Sequence, residues 1–376
     1  DLHKEYRRQR QMCIRDRYRR GCNARKSRGK RTSWNISFSQ LNYDSPTNLS
    51  CSIMKNILHI LILILCISCQ SKIDNKDAYV PESSGNLNHI TVVMPEKEWN
   101  DNLGEIVRKE LQQIYEGLPV DEPMFSLNYL NPKTFTGFAR QGRNVVWFQK
   151  DSIARFQLAQ NQFAKPQIIA NITGEDAATR QFYFEENVKL LRQTIAENER
   201  KEKTRRISKS PTVEKTLFNR FGINLDYPSA YETVKDTTNF VWIQKPIRKG
   251  HLNLIVYTLK AQALGNNFSE QILNIRDSIG KVHVPGRLKG SYFITERAFS
   301  PYFYKTELDG KFTYLTKGTW EVANDFMAGP FVNYAIMDKT ANRWIVIEGF
   351  TFAPSANKRE YMFELNTILT SFKKLK

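Results

Sequence analysis

Cysteine is scarce in this sequence and confined to its first fifth. The five cysteines are Cys13, Cys22, Cys51, Cys66 and Cys69. The long remainder of the chain therefore has no disulfide framework, no thiolate metal site and no cysteine nucleophile. Its stability must come from burial of apolar side chains, for which about 300 residues are ample.

Catalytic and metal-binding motifs are also missing. After residue 69 only His89, His251 and His283 remain, and no two of them have the spacing of a His-x-x-x-His metal site. The chain has no nucleophile elbow, no Walker loop and no dinucleotide fingerprint. We therefore predict no metal and no cofactor, and the sequence favours a protein that is not an enzyme.

Long hydrophobic runs are absent apart from residues 57–67, about half of the roughly 20 residues that a membrane-spanning helix needs. The run follows a short basic start at residues 54–56 and ends at Ser68-Cys69. This pattern predicts a signal peptide over 54–69, with a lipid attached to Cys69. A competing modified residue is Cys66, and an ordinary signal peptide is a further alternative.

The first 53 residues carry half of the chain's net charge of +18. Clustered arginines favour a nucleic-acid arm, because basic side chains neutralise phosphates. However, the segment precedes a signal peptide, which acts at a free N-terminus, and residues 11–18 resemble a translated sequencing adapter. We predict that 1–53 is an artefact and disordered. Nucleic-acid binding is a third alternative, which requires that synthesis does not begin at Met54.

The rest of the chain is predicted to have an α+β fold, with antiparallel sheets packed on helices. A polar tether over 70–88 precedes an N-terminal α+β domain over 89–207 and a C-terminal α+β domain over 212–376. Apolar periodicity predicts helices over 96–116 and 176–205. The charged end of the second helix is expected to lie in solvent.

The C-terminal half shows the same order of strands and helix twice, over 220–280 and 312–374. Alternating side chains near residues 252–257 favour antiparallel strands with one face packed on helices. We predict a duplicated meander-plus-helix unit, which faintly resembles the units of Mog1/PsbP-like domains.

Several segments of the C-terminal half together resemble a known family. They are residues 317–321, 324–331, 348–350, 353–354 and 358–359. They are similar to the C-terminal signature of a Bacteroidota lipoprotein family, domain of unknown function 4837, over about 54–376. The resemblance implies a location in the cell envelope and an overall architecture, and it implies no chemistry.

Two groups of side chains are candidate site residues. A possible ligand or partner surface comprises Trp320, Phe326, Met327, Gly329, Pro330, Lys358 and Arg359. The alternatives are core aromatics and ordinary surface charge. Glu348 is a weak catalytic candidate, since it interrupts an apolar strand and buried carboxyl groups can act as acids or bases. It is otherwise expected at a sheet edge or beside an arginine.

These observations favour a membrane-tethered envelope lipoprotein that binds an envelope protein or glycan. The alternative is an envelope hydrolase that uses carboxylates such as Glu348. Ser71, two residues after Cys69, resembles an outer-membrane sorting signal, so we expect attachment that faces the periplasm.

Overall fold

The computed structural model describes residues 80–375. Helices and β-sheets form separate layers, which confirms the predicted α+β class. Four predictions lie outside the described residues: the artefact over 1–53, the signal peptide over 54–69, the lipid on Cys69 and the first part of the tether, 70–79. Within 80–375, no helix is both long enough and apolar enough to span a membrane.

The first half of the described chain contains a five-stranded sheet. Its strands are β1 (His89–Val93), β2 (Ser126–Leu130), β3 (Asn144–Lys150), β4 (Arg155–Gln160) and β5 (Ile168–Gly174). Their order is β2-β1-β3-β5-β4, and only the β4–β5 pair is antiparallel. The half thus departs from the antiparallel arrangement expected of the whole chain. A helical connection returns the chain to the same end of the sheet before β2, as a parallel pair requires.

That connection is two helices where the sequence predicted one over 96–116. The first is α1 (Glu96–Trp99), and the second is α2 (Asn102–Leu111). Between them, Asp101 has an extended backbone and its side chain accepts a hydrogen bond from the backbone N–H of Asn102. Aspartate at this position favours the start of a new helix, because its carboxylate pairs with a backbone N–H that no carbonyl reaches.

A long helix, α3 (Ala177–Ile207), covers one face of this sheet. Its N-terminus is capped by Asp176, whose carboxylate accepts from the Thr179 backbone N–H. The helix was predicted closely, but its charged end does not lie free in solvent. Glu199 and Glu202 are buried there, at 0% and 3% exposure, because arginines from two parts of the chain pair with them.

The second half is built on an eight-stranded antiparallel sheet. Its strands are β7 (Glu232–Asp236), β8 (Phe240–Ile247), β9 (Gly250–Lys260), β10 (Tyr292–Thr295), β11 (Tyr302–Leu308), β12 (Lys311–Ala323), β13 (Asp325–Asp338) and β14 (Arg343–Phe352). The order is β10-β12-β13-β14-β9-β8-β7, and β11 also pairs with β12. The two proposed repeat units therefore share one sheet, joined where β9 pairs with β14.

Helices cover both faces of this larger sheet, where the alternation predicted one covered face. They are α4 (Thr216–Phe221), α5 (Phe268–His283) and α6 (Arg359–Thr370); a short ribbon pairs β6 (Ile223–Asn224) with β15 (Lys373–Lys374). Leu252, Leu254 and Val256 pack with α6, whereas Ile255 and Tyr257 pack with α5. Apolar side chains therefore occur on both faces of the strand, because each face packs on its own apolar core.

Residues 80–88, which the sequence assigned to the tether, belong to the folded body. Lys165 exchanges backbone hydrogen bonds with this segment, its N–H donating to Pro81 O (2.8 Å) and its carbonyl accepting from the Ser83 N–H (3.1 Å). Leu87 and Asn88 are buried. The polar composition misled the prediction, since the segment is held by its backbone groups rather than by apolar side chains.

Candidate binding cleft

Glu348, the weak catalytic candidate, lies on β14 and faces α5. Its side chain is fully buried, and Arg276 of α5 donates a 2.7 Å hydrogen bond to each of its carboxylate oxygens. Asn333, directly opposite on β13, donates a third bond of 2.7 Å through Nδ2. Both oxygens of Glu348 are thus occupied by groups of the protein itself.

The guanidinium of Arg276 is enclosed as completely as its partner. It lies 3.5 Å from the ring centroid of Phe331 and 4.9 Å from that of Phe293. Its Nη1 also donates to Thr295 Oγ1. Among residues 80–375, the Glu348 carboxylate is therefore bonded to a guanidinium and an amide, no second carboxylate is bonded to them, and its side chain is not exposed.

The predicted ligand surface at residues 320–330 is divided between core and solvent. Trp320, Gly329 and Pro330 are buried, whereas Met327 is half-buried and Phe326 is fully exposed. Trp320 packs in the core under α5. A continuous surface of these residues is therefore not formed, because antiparallel pairing turns alternate side chains to opposite faces.

Residues 327–330, which include three residues of the predicted ligand surface, lie inside strand β13. The chain reverses earlier, at Asn324, which has a positive φ of 63°. Gly329 is needed for close approach instead: a Cβ built on it would lie 2.1 Å from the carbonyl oxygen of Thr351. Gly329 is therefore required by the close contact with the neighbouring backbone and not by a turn.

Lys358 and Arg359, two residues of the predicted ligand surface, lie at the start of α6, where an anion is favoured by the helix dipole. The anion belongs to the chain itself. The Glu122 carboxylate accepts the backbone N–H groups of Lys358 (2.6 Å) and Arg359 (3.0 Å). The Arg359 guanidinium donates to Pro123 O and Ser126 Oγ. These residues join the two halves and are not an open anion site.

A second buried carboxylate, that of Glu199, was not predicted from the sequence. It accepts hydrogen bonds from Arg143 Nε (2.6 Å), from the Asn88 backbone N–H (2.7 Å) and from Asn144 Nδ2. A signal was present: Glu199 continues the spacing of the apolar residues that end at Ile195. A carboxylate on the buried stripe of a helix indicates a buried partner.

A cleft of about 490 Å³ opens between the two halves. It is lined by the end of α2 and the residues after it, by one side of α3, by α6 and by Lys317 of β12. The polar lining includes Gln113, Gln193, Asn366 and Thr367, and the apolar lining includes Ile114, Tyr115, Met124, Phe125 and Phe363. Sequence reasoning missed these residues because they come from segments far apart in the chain.

The charged groups of the cleft are paired with one another. Lys317 Nζ donates to Glu116 Oε2 (2.9 Å) and the Tyr304 hydroxyl donates to Glu116 Oε1 (2.9 Å). Burial opposes ionisation of Glu116, but these two donors more than offset it and lower its pKa. Arg200 forms two hydrogen bonds with Glu197. The cleft is therefore lined by ion pairs whose charges cancel, by amides and by apolar side chains.

Gly117 sets the distance between the halves at this point. Its φ is 84°, and a Cβ on it would lie 3.0 Å from Lys317 Cβ. Next to it, Tyr115 and Leu118 pack against the apolar core of the larger sheet. Burial raises the pKa of Tyr115 well above its ordinary value, so it is a neutral hydrogen-bonding group rather than a base.

Another cavity of similar volume lies beside the smaller sheet, near His89, Thr91, Asn128 and Phe138. Two of its polar residues, Arg143 and Asn144, are committed to Glu199. Burial lowers the pKa of His89. Within residues 80–375 no group of three or more histidine, cysteine, aspartate or glutamate side chains is arranged to hold a metal ion.

Two family models match the chain, one for each half. Residues 210–371 match the family described as Domain of unknown function (DUF4837). Residues 83–208 match the family described as Domain of unknown function (DUF8532). The resemblance to the first family predicted from the sequence is therefore shown, over the second half of the chain, and the cleft lies where the two matched regions meet. No curated protein matches the chain.

Among solved structures, the Ran-binding protein Mog1p of Saccharomyces cerevisiae aligns at 9% identity, covering 41% of this chain and 91% of its own, with a TM-score of 0.29. The cyanobacterial PsbP (CyanoP) of Synechocystis sp. PCC 6803 aligns at 11% identity, covering 41% of this chain and 86% of its own, with a TM-score of 0.29. Alignments at these TM-scores support no inference about function.

Proposed function

We propose that this chain is a lipid-anchored cell-envelope protein that is not an enzyme and binds an uncharged polar partner in the cleft between its halves. The observation that carries the proposal is the pairing of the charges in the cleft. Glu116 is occupied by Lys317 and Tyr304, and Glu197 by Arg200. A charged ligand would compete with one partner of each pair, whereas a neutral ligand leaves both pairs intact.

A glycan of the envelope is the partner class that suits this lining. Sugars present many hydroxyl groups and apolar C–H faces, and recognition needs amides and aromatic rings in one cleft. Gln113, Gln193 and Asn366 supply amides beside Phe363 and Tyr115. A protein segment, which also carries backbone amides, is the outcome that the experiment below distinguishes.

The proposed location is supported by the sequence. A signal peptide over 54–69 would carry the chain out of the cytoplasm, and a lipid on Cys69 would hold it to a membrane. Ser71 favours the outer membrane with the folded body facing the periplasm, as does the resemblance to a Bacteroidota lipoprotein family. The buried Arg276–Glu348 pair speaks against a hydrolase that uses Glu348.

Binding is tested by calorimetry of the purified chain with oligosaccharides released from the envelope and with envelope peptides. We expect saturable binding of oligosaccharides, weakened roughly tenfold by Gln193→Ala or Gln113→Ala, since each removes about one hydrogen bond. Gln162→Ala, an exposed glutamine in a loop of the smaller half, is the matched control. Binding that survives both cleft variants but is lost in Phe326→Ser would move the site to the β12–β13 turn. Binding of peptides without binding of oligosaccharides would show that the partner is a protein segment and not a glycan.

Anchoring is tested by the intact mass and N-terminal peptide of the protein from native membranes. We expect an acylated Cys69 as the first residue and release from the membrane in Cys69→Ser. A polypeptide that retains residues 1–53 would contradict the lipoprotein assignment and restore the basic segment as a functional element.

A further inference from the structure

The described chain begins at a basic surface. Val80 and Glu82 lie in a groove of about 380 Å³ with Lys165, Lys201 and Arg205. Lys165, Lys201 and Arg205 line this groove, and Arg206 and Lys209 follow Arg205 at the C-terminal end of α3. All five side chains are exposed. Glu82, Glu197 and Glu202 are the acidic residues that pair with them, and Glu202 is nearly inaccessible, at 3% exposure. The surface therefore presents net positive charge to the solvent.

The position of the surface fixes what it meets if Cys69 carries a lipid. Ten residues lie between Cys69 and Val80, and even a fully extended chain from one to the other spans at most about 40 Å. A compact body of about 300 residues has a radius of gyration of about 19 Å and is thus roughly 50 Å across. The connection is shorter than the body is wide, so the face around Val80 is biased towards the bilayer.

The segment that leads to this face is firmly attached to the body. Arg143 Nη2 donates to the carbonyl oxygen of Asn86 (2.7 Å) and Arg143 Nε binds Glu199, which also accepts the Asn88 backbone N–H. The described chain therefore enters the body at a defined point, and the cations around that point keep a fixed place relative to it.

We propose that the basic surface formed by Lys165, Lys201, Arg205, Arg206 and Lys209 docks the folded body onto anionic phospholipid headgroups of the membrane that holds the anchor. This inference rests on the proposed lipid anchor for its direction, but the surface acts without the lipid as well. Lysine and arginine side chains close to an anionic leaflet each strengthen binding by a factor of roughly five at low salt. Docking orients the cleft and shortens the search for its partner.

The test uses residues 69–376, the chain that remains after the proposed cleavage, with Cys69→Ser. It is mixed in flotation experiments with vesicles of phosphatidylcholine alone or with about 30% of the anionic lipid phosphatidylglycerol. We expect binding only to the anionic vesicles, lost as salt is raised. The variant K165Q/K201Q/K209Q should bind at least roughly tenfold more weakly. These lysines are chosen because their side chains are exposed, so the fold does not depend on them.

The matched control is R248Q/K249Q/K289Q, which removes three exposed cations from turns of the larger half. Equal loss in both triple variants would show an effect of net charge alone and overturn the docking surface. Binding to anionic vesicles that is weaker than binding to nucleic acid of equal charge would also overturn it. Failure of the anchor appears separately, as the absence of acyl mass on Cys69, and leaves the vesicle result unchanged.

Discussion

Each half of the described chain encloses an arginine–glutamate pair, and the two pairs connect different parts of the fold. In the second half, Arg276 and Glu348 join a helix to the middle of the sheet it covers, at 1% and 0% exposure. In the first half, Arg143 and Glu199 join a helix to the backbone of the segment that enters the fold. The Arg276–Glu348 pair thus lies inside a core, whereas the Arg143–Glu199 pair holds residues 85–88 against the rest of the fold.

The surroundings of the pairs differ accordingly. Aromatic rings and a sheet enclose Arg276, so its guanidinium cannot reach water if Glu348 is lost. Arg143 instead retains bonds to two backbone carbonyls, at Gly85 and Asn86. A buried ion pair stabilises little in itself, but removing one partner is costly in proportion to how completely the other remains enclosed.

The largest effect is expected for Glu348→Ala, which should lower the free energy of unfolding by about 3–5 kcal/mol because Arg276 stays buried without its partner. Urea denaturation followed by circular dichroism measures it. The double variant R276M/E348L should recover most of the loss, since apolar side chains of similar volume replace the pair. A loss below about 1 kcal/mol for the single variant would mean that water reaches Arg276.

Glu199→Gln should cost less, about 2–3 kcal/mol, because the amide oxygen still accepts a hydrogen bond and Arg143 keeps its carbonyl partners. The effect should also be local. Hydrogen exchange at the Asn88 amide and proteolysis within residues 80–88 should accelerate, while exchange in the larger sheet stays as it is. Uniform acceleration throughout the chain would show that the pair supports the whole fold.

Acid should weaken the end of α3 through Glu202. Burial opposes its ionisation, but Arg205 and Arg206 more than offset this and lower its pKa to about 2. Because the folded-state pKa lies below the ordinary value of 4.5, its contribution is present above about pH 4.5 and is lost as the pH falls towards 2. Unfolding measured from pH 6 to 2 should be less pH-dependent in Glu202→Gln, whereas Glu82→Gln, at a mostly exposed side chain, should keep the native profile.

The smallest effect is expected for Thr316→Val, beside the Arg276–Glu348 pair. Thr316 lies opposite Asn333 on the larger sheet, and its buried hydroxyl has no hydrogen-bond partner among the described residues. Replacing an unpartnered hydroxyl by a methyl group of similar size should be neutral or stabilising by up to about 1 kcal/mol. Destabilisation by more than that in thermal unfolding would reveal a bound water that the hydroxyl holds.

The parts of the fold that could be predicted are those that depend on residues close together in the sequence. The strands and α3 follow from periodicity that neighbouring residues impose, and the predicted bounds of α3 differ from the structure by a few residues. The parallel pairing of β1 with β2 and β3 did not follow, because register between distant strands leaves no local mark. The break at Asp101 was visible as a capping residue, yet the apolar spacing on both sides outweighed it.

The candidate site shows the same limit. Glu348 was singled out because a carboxylate interrupts an apolar strand, but its partner Arg276 lies 72 residues away. Glu122 was passed over because nothing near it in sequence shows that it caps α6. Conversely, Trp320 and Gly329 were named as parts of a possible partner surface, with core aromatics as the alternative, and the structure places both inside.

The sequence by itself determined the elements, the α+β class and the family resemblance, because these depend on the spacing of apolar residues and on short motifs. It also determined the expectation of a signal peptide and lipid at Cys69. Only the tertiary structure decided that Glu348 and Glu199 are enclosed, that Glu122 supplies the anion at α6, and that Lys317 and Glu116 face each other across a cleft. Each of these depends on contacts between residues far apart in the chain, within one half or between the two, and burial of apolar side chains supplies the free energy that brings them together.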